Sequence, residues 1–271
     1  MRKQLGLSLI ELLIAMFIGL FLLAGISSSY IYSKKSSIYN DQFSMLEDNG
    51  RLALEIMSKT IQLTGYSTNK AVPLLPNKFI LSKPVSTTCS GSDNSVINTN
   101  FPDDSTIDSA ADGDRIGVIY LGNSEITTDC SGETLPDSCQ IGSANTTNSE
   151  AAQIFSTFYL LDNAKNELIC VGSRDTEELA IAEGVENMQI MYGINTDDSP
   201  DRSVERYVNA NDIAGLWNNV TSVQIALLVR SEKEVLDTAE SKKFTLLDEE
   251  VTTPSDRYQR AVFTTTVSLR N

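Results

Sequence analysis

The chain contains no histidine in its 271 residues. Histidine is the commonest general base near neutral pH, the usual partner of serine and cysteine nucleophiles, and the most frequent zinc ligand. Its absence argues against a hydrolase or a metalloenzyme of the common kinds. The sequence therefore predicts no catalytic residues, no metal site and no bound cofactor.

Basic residues are also scarce. The chain has 21 lysines and arginines against 36 aspartates and glutamates, a net charge of −15. Such acidity argues against a nucleic-acid partner and suits a soluble domain on the outer side of a membrane. With 41% hydrophobic residues, the chain can build a folded core.

Charge is nearly absent from residues 7–26, where Glu11 is the only ionisable side chain. A run of this length matches the roughly 20 residues needed to cross a bilayer as a helix. It is longer than the 7–15 apolar residues, roughly, of a secretory signal. Arg2 and Lys3 precede the run, which predicts a cytoplasmic N-terminus and an exported remainder.

Glu11 is costly in such a segment, by about 2.5–3.5 kcal/mol even on a lenient insertion scale. We find no group inside the apolar run that could compensate this carboxylate. We therefore expect another molecule to supply the partner of Glu11.

The segment around Glu11 resembles the class III signal of type IV pilins and type II secretion pseudopilins. The resemblance rests on a short basic leader followed by Gly6-Leu7-Ser8-Leu9-Ile10-Glu11-Leu12. It implies that a prepilin peptidase cuts between Gly6 and Leu7 and methylates the new Leu7 amine. It also implies that Glu11 is the carboxylate required for assembly, since the amine of a neighbouring subunit can pair with it in a low dielectric.

An apolar periodicity continues beyond the membrane run. Ile31, Ile38, Met45 and Leu52 recur every seven residues, and Leu46, Ala53, Ile56 and Leu63 form an adjoining stripe. The pattern predicts one helix over about 9–63 that packs its apolar stripe against a sheet, with Gly65 as its stop.

The second half of the chain shows strand patterns. Residues 155–161 and 167–172 flank a polar turn and predict a hairpin. Apolar and polar residues alternate over 188–194, 223–229 and 261–269, and residues 115–121 form a further candidate strand. Since helices and strands do not alternate here, the sheet is expected to be antiparallel and the fold class α+β.

Four cysteines, Cys89, Cys130, Cys139 and Cys170, all follow the apolar run. An even number in an oxidising compartment predicts two disulfides, with three possible connectivities. Cys130 and Cys139 could close a small loop, or Cys130 and Cys170 could tie two strand regions together. The sequence leaves this choice open.

A second resemblance, to the PilW family of type IV minor pilins, covers roughly residues 1–66 and 180–271. It rests on residues 49–55, 64–66, 183–189, 206–208, 223–231 and 262–271, with Tyr192, Gly193 and Trp217; a related fold is that of the type II secretion minor pseudopilin GspJ. It implies a pilin-like fold, in which a long N-terminal helix packs on a C-terminal antiparallel sheet domain. The chain would then comprise a leader (1–6), a membrane-spanning half-helix (7–29), an amphipathic half-helix (30–65) and a periplasmic β-rich domain (66–271).

The same resemblance implies a structural role in assembly rather than catalysis. The protein would sit once across the bacterial inner membrane and later enter the pilus, where it joins other minor pilins in a complex that primes polymerisation. Implied partners are the major pilin, the prepilin peptidase, the inner-membrane assembly platform and an adhesin-like tip protein. The alternatives are a GspJ-like pseudopilin of a type II secretion system and a membrane-anchored periplasmic enzyme or binding domain.

Three further features favour ordinary structural explanations. Asn195, Asp197, Ser199, Asp201 and Glu205 have the spacing of calcium ligands, but Pro200 stands where the loop needs glycine, which favours a solvated acidic turn. The series Asp103, Asp104, Asp108, Asp112 and Asp114 is expected to form a solvated loop. The single tryptophan, Trp217, is expected to lie partly buried under a loop.

Overall fold

The chain divides into two compact units, Met1–Ser44 and Met45–Asn271. The computed structural model describes residues 8–67, 79–81, 106–109, 113–142, 152–161, 163, 165–173, 178–197, 203–213 and 215–269. Within the described residues, the first unit consists of the first part of one long helix. The second unit contains the rest of that helix and all of the strands.

Helix α1 (Leu9–Gln62) is 54 residues long, which confirms the single helix predicted from the sequence. It ends in a turn at Gly65, whose φ of 75° lies in the left-handed region that glycine tolerates. The Gly65 amide donates to the Ile119 carbonyl at 2.9 Å, so the end of the helix is fixed to the first strand that follows.

In the first unit the apolar side chains of α1 are open to the surroundings. Leu9, Phe17 and Phe21 are 79%, 73% and 75% exposed. Among the described residues, α1 is the one helix long and apolar enough to cross a membrane, with a mean hydropathy of 2.6 over its most apolar window.

Among the described residues, the second unit contains two four-stranded sheets and a separate two-stranded hairpin, and every strand pair there is antiparallel. The first sheet has the order β1-β2-β3-β4, with β1 (Ile116–Leu121), β2 (Gln153–Leu161), β3 (Glu167–Gly172) and β4 (Leu179–Ala182). The second has the order β10-β7-β5-β6, with β5 (Val185–Ile194), β6 (Arg206–Val208), β7 (Val220–Glu234) and β10 (Tyr258–Ser268). Strands β8 (Lys243–Leu246) and β9 (Glu249–Thr252) form the hairpin.

These elements confirm the α+β class and most of the predicted strands. The predicted hairpin is β2–β3, with Leu161 opposite Glu167. The alternating segments 188–194, 223–229 and 261–269 fall in β5, β7 and at the end of β10. Strands β4, β6, β8 and β9 were not predicted.

One hydrophobic core joins α1 to both large sheets. Its helical members are fully or almost fully buried and include Leu46, Ala53, Met57 and Ile61. The sheets contribute their inward-facing residues, among them Ile116, Val118, Tyr120, Met188, Ile190, Tyr192, Val223, Ile225 and Leu227. Ala226 and Leu228 point to the other face of β7, where Leu246 of the β8–β9 hairpin covers them.

Of the two apolar stripes predicted on α1, the adjoining one packs against the core as predicted, and the seven-residue one does not. Ile31, Ile38, Met45 and Leu52 are 55%, 43%, 46% and 50% exposed, whereas the adjoining positions Leu46 and Ala53 are 1% and 0% exposed. A helix advances about 100° per residue, so the face that meets the two sheets is rotated away from the more regular stripe. The regular stripe therefore remains open on the helix surface.

Candidate functional site

Glu11 lies in the first turn of α1, and its carboxylate has a partner inside its own segment. The Ser8 backbone N–H donates to Glu11 Oε2 at 3.0 Å. This is half of a capping box, in which a carboxylate three residues into a helix satisfies an amide at the helix start. The expectation that nothing inside the segment could compensate Glu11 was therefore wrong for hydrogen bonding. Gly6 and Leu7 lie outside the described residues.

The hydrogen bond from the Ser8 amide does not neutralise the charge of the Glu11 carboxylate, because the donor is itself uncharged. The start of a helix offers only a fraction of a positive charge, and a full cation would stabilise the carboxylate further. Around Glu11 the helix surface is otherwise apolar and exposed, from Leu9 through Ile26. Such a surface can bind lipid or other apolar helices, with Glu11 as its one point of electrostatic recognition.

A turn at Glu183 and Gly184 joins α1 to both large sheets. Asn49 of α1 donates to the Glu183 carbonyl at 3.1 Å. The Gly184 amide donates to the Lys165 carbonyl at 3.0 Å, and the Arg230 amide of β7 donates to the Gly184 carbonyl at 2.8 Å. These contacts fix the turn to α1, to the segment before β3 and to β7.

Replacing Gly184 by alanine should lower the free energy of unfolding by about 2–4 kcal/mol. Gly184 has a φ of 81°, and an added Cβ would lie 2.6 Å from the Arg230 carbonyl oxygen. The backbone strain at residue 184 and the steric overlap with the Arg230 carbonyl therefore both lower the free energy of unfolding. Denaturant unfolding of the full chain in detergent micelles measures the change.

Gly215 provides the matched control for Gly184. Its φ of 86° imposes the same backbone strain, but nothing lies within 4 Å of an added Cβ. Gly215→Ala should therefore cost only about 1–2 kcal/mol. Equal losses for the two variants would contradict the role given to the Arg230 contact.

Arg260 is the centre of a buried ionic cluster on the second sheet. Its guanidinium donates to both carboxylate oxygens of Glu186, at 2.6 and 2.9 Å, and to both of Asp256, at 2.6 Å each. Arg230 lies 3.5 Å from Glu186 and stacks over the Tyr258 ring at 4.5 Å. The hydrogen bonds from Arg260 hold the pKa of the Asp256 carboxyl below its ordinary value. Sequence reasoning missed this cluster, because its members are separated by up to 74 residues.

Cys130 and Cys170 form a disulfide, with their Cα atoms 6.1 Å apart. Of the connectivities left open by the sequence, this is the one expected to tie two strand regions together. Cys170 lies in β3 as expected, but Cys130 lies in a turn. The Cys130 amide also donates to Ser156 Oγ of β2 at 3.1 Å, which fixes the same segment to the neighbouring strand. Cys139 is buried and is also disulfide-bonded, and Cys89 lies outside the described residues.

Trp217 is partly buried, as expected. Its ring lies 5.3 Å from that of Phe79 and 5.2 Å from that of Tyr192. These contacts make Trp217 part of the wall of the core rather than a free anchor.

The acidic turn between β5 and β6 shows no built metal site in its described part. Thr196 donates to the Glu205 carboxylate through both its amide and its hydroxyl. Ser199 and Asp201 lie outside the described residues, and within those that are described no three acidic or cysteine side chains come together to hold a metal ion.

Asp114 corrects the expectation of a solvated acidic loop. It is only 2% exposed, and its Oδ1 and Oδ2 accept hydrogen bonds from the Ser109 and Ile190 amides at 2.8 and 2.6 Å. Burial raises the pKa of Asp114 to about 7. No local pattern indicates this, because the donors belong to the backbone and Ile190 lies 76 residues away. Asp103, Asp104 and Asp112 lie outside the described residues.

Two family models match the two ends of the chain. Residues 1–27 match the prokaryotic N-terminal methylation motif, so the chain has a prepilin-like N-terminus. Residues 157–271 match PilW, the type IV pilus-assembly protein W. The resemblance to the PilW family is thus confirmed over the C-terminal part of the chain.

Among solved structures, a type IV-like pilin from Thermus thermophilus is similar to this chain, with 12% sequence identity and a TM-score of 0.38. The similarity covers 85% of this chain and 95% of the other. A search of curated proteins finds no match.

Proposed function

We propose that this protein is a minor pilin that joins other minor pilins in a complex that primes type IV pilus assembly. The observation that supports this most directly is the pairing of a methylation motif at residues 1–27 with a PilW domain at residues 157–271. Helix α1 contains most of the first matched region, and its exposed apolar stretch, residues 9–26, carries a single charge, that of Glu11. In this role the protein is structural and has no catalytic activity.

Processing would create the cation that Glu11 lacks. A prepilin peptidase would remove residues 1–6 between Gly6 and Leu7 and methylate the Leu7 amine. Residues 7–29 would then cross the inner membrane, residues 30–65 would form the amphipathic half of the helix, and residues 66–271 would fold in the periplasm. Mass spectrometry of the native N-terminus tests this step: an uncut chain would contradict it.

In the assembled state, the Leu7 amine of one subunit would pair with Glu11 of its neighbour. The two groups lie about 6 Å apart along the axis of one helix, so an axial offset between stacked helices brings an amine to a carboxylate. In a low dielectric a full ion pair stabilises Glu11 far more than the Ser8 amide does. Assembly is therefore favoured over an isolated helix.

The partners would be other pilin subunits and the assembly machinery. Met45 and Leu52 leave an apolar stripe open on the helix beside the domain, which suits contacts with other minor pilins and the major pilin. The inner-membrane platform and an adhesin-like tip protein complete the proposed set.

Deleting the gene should abolish surface pili while the major pilin stays in the membrane. Complementation with Glu11→Ala or Glu11→Gln should fail to restore pili, because neither side chain can form an ion pair. Glutamine can still accept the Ser8 hydrogen bond, so this variant separates the charge of Glu11 from its capping role. Pili counted by electron microscopy provide the measurement.

Glu47→Ala is the matched control, since Glu47 is a carboxylate of the same helix outside the apolar run and lies 3.9 Å from Arg51. It should restore pili. Normal piliation with Glu11→Ala would refute the assembly role of that carboxylate. Loss of protein secretion with intact pili in the deletion strain would instead identify the alternative, a GspJ-like pseudopilin.

A further inference from the structure

Strand β10 is an edge strand of the second sheet, and among the described residues it pairs only with β7. Just after β10, the Leu269 amide donates to the Thr221 carbonyl of β7 at 2.9 Å. In an antiparallel pair, residues that bond to the neighbouring strand alternate with residues whose backbone groups point away from it. The residues of β10 that point away from β7 are therefore the even-numbered ones, Val262, Thr264, Thr266 and Ser268.

These four residues form an open row of hydrogen-bonding groups about 20 Å long. Each offers one N–H and one C=O, and within the described residues none of these groups has a hydrogen-bond partner. The other sheet edges are shorter or covered. Strands β4 and β6 have four and three residues, and the Ile80 and Gly65 amides each donate at 2.9 Å to a carbonyl of β1. In the described part of the domain, β10 is therefore the long open edge.

The sequence of this edge carries none of the usual protections. Strand edges in soluble proteins are normally short, covered, or interrupted by a charge or a proline. From Ala261 through Leu269 there is no charged residue and no proline, although the chain has a net charge of −15. The exposed side chains of this edge are the hydroxyls of Thr264, Thr266 and Ser268. Such an edge fits an extended, uncharged segment, which can complete the backbone hydrogen bonds without burying a charge.

We propose that β10 is a docking edge for an extended, uncharged strand of a neighbouring pilin subunit. This rests on the proposed function, which supplies neighbours with the same orientation in the membrane. A second copy bound through its own β10 does not meet that condition. Such a symmetric pair is antiparallel about an axis normal to the sheet. Because Ala53 and Met57 pack α1 along the sheet, this part of the helix would run in opposite directions in the two copies. The occupant is therefore a strand of a different subunit.

Hydrogen exchange of the full chain in detergent micelles tests whether the edge is open before assembly. After correction for intrinsic rates, the amides of Thr264 and Thr266 should exchange about tenfold faster, or more, than those of Thr265 and Val267, which bond to β7. Equal protection of the two sets would show that another part of this chain covers the edge, and would overturn the proposal. Protection of Thr264 that grows with protein concentration would identify a second copy as the occupant, with the same consequence.

Proline at position 264 tests the docking step in cells. Thr264→Pro removes one outward N–H and leaves the bonds of Phe263 and Thr265 to β7 in place, because proline is tolerated where an edge N–H faces solvent. In the deletion strain, this variant should give about tenfold fewer surface pili than the wild-type gene, whereas Thr264→Val, which keeps the N–H, should restore them.

The deletion strain separates the two proposals. If deletion removes the pili and both position-264 variants restore them, the docking edge is overturned and the proposed function stands. If the deletion strain keeps its pili, the proposed function fails, and the docking edge that rests on it fails too.

A photoreactive side chain identifies the occupant and does not depend on the folding of the proline variant. Thr266→p-benzoylphenylalanine should cross-link, in piliated cells, to a strand of another processed pilin subunit, identified by mass spectrometry of the joined peptides. The same substitution at Thr245, an exposed threonine of β8, is the matched control and should give no such product. Cross-links from position 266 only within the same chain, only to a second copy, or to no protein would overturn the proposal.

Discussion

Replacing Arg260 by alanine should lower the free energy of unfolding by about 3–5 kcal/mol. The Arg260 side chain is 4% exposed, and its two carboxylate partners, Glu186 and Asp256, are 13% and 16% exposed. Removing the guanidinium would leave both carboxylates largely buried with too little positive charge, since the salt bridge from Arg230 is to Glu186, at 3.5 Å. Denaturant unfolding of the full chain in micelles measures the loss.

Arg257→Ala is the matched control for Arg260. Arg257 also binds a carboxylate at 2.7 Å, that of Glu234, but the two side chains are 50% and 40% exposed. Exposed pairs contribute about 0–1 kcal/mol, so this variant should stay close to wild type. Similar losses for the two arginines would show that burial does not set the strength of the Arg260 cluster.

Removing the Cys130–Cys170 disulfide should cost about 4 kcal/mol. The bond closes a loop with a sequence separation of 40 residues, and the chain-entropy relation gives about this value for such a loop. The suitable variant is Cys130→Ala with Cys170→Val, because valine fills the space of the buried Cys170 side chain in β3. Unfolding under oxidising conditions compares this variant with the wild-type protein.

A loss below about 1 kcal/mol would contradict the expected effect of the cross-link. In that case the hydrogen bond from the Cys130 amide to Ser156 would be sufficient to hold the turn-rich segment on the first sheet. Ser156→Ala in the disulfide-free background would then reveal the contribution of that bond.

The sequence predicted those elements whose patterns are local and long. Helix α1 was recognised from its apolar repeat, and β5, β7 and β10 from alternation over seven or more residues. Strand β6 has three residues, and β4, β8 and β9 have four each, too few for a clear period of two. The β8–β9 turn was also missed because its residue with a positive φ is Leu247, at 53°, where glycine or asparagine is usual.

The candidate site was predictable only where its chemistry lies within one segment. Glu11 could be singled out because its apolar surroundings are adjacent in sequence. The Arg260 cluster and the buried Asp114 carboxylate depend on partners 74 and 76 residues away, and no local pattern marks such pairs. The misassigned helix stripe has the same origin, because the position of two distant sheets decides which face of α1 is covered.

The position at which the PilW match begins has a practical consequence. Residue 157 lies inside β2, so a fragment started there would lack all of β1, four of the six β2 residues that pair with it, and the helix turns that cover the core. Ile190 and Leu227 would then face water. Expression of the isolated domain should instead start near Met45, since the stretch that identifies the family is shorter than the stretch that must fold together.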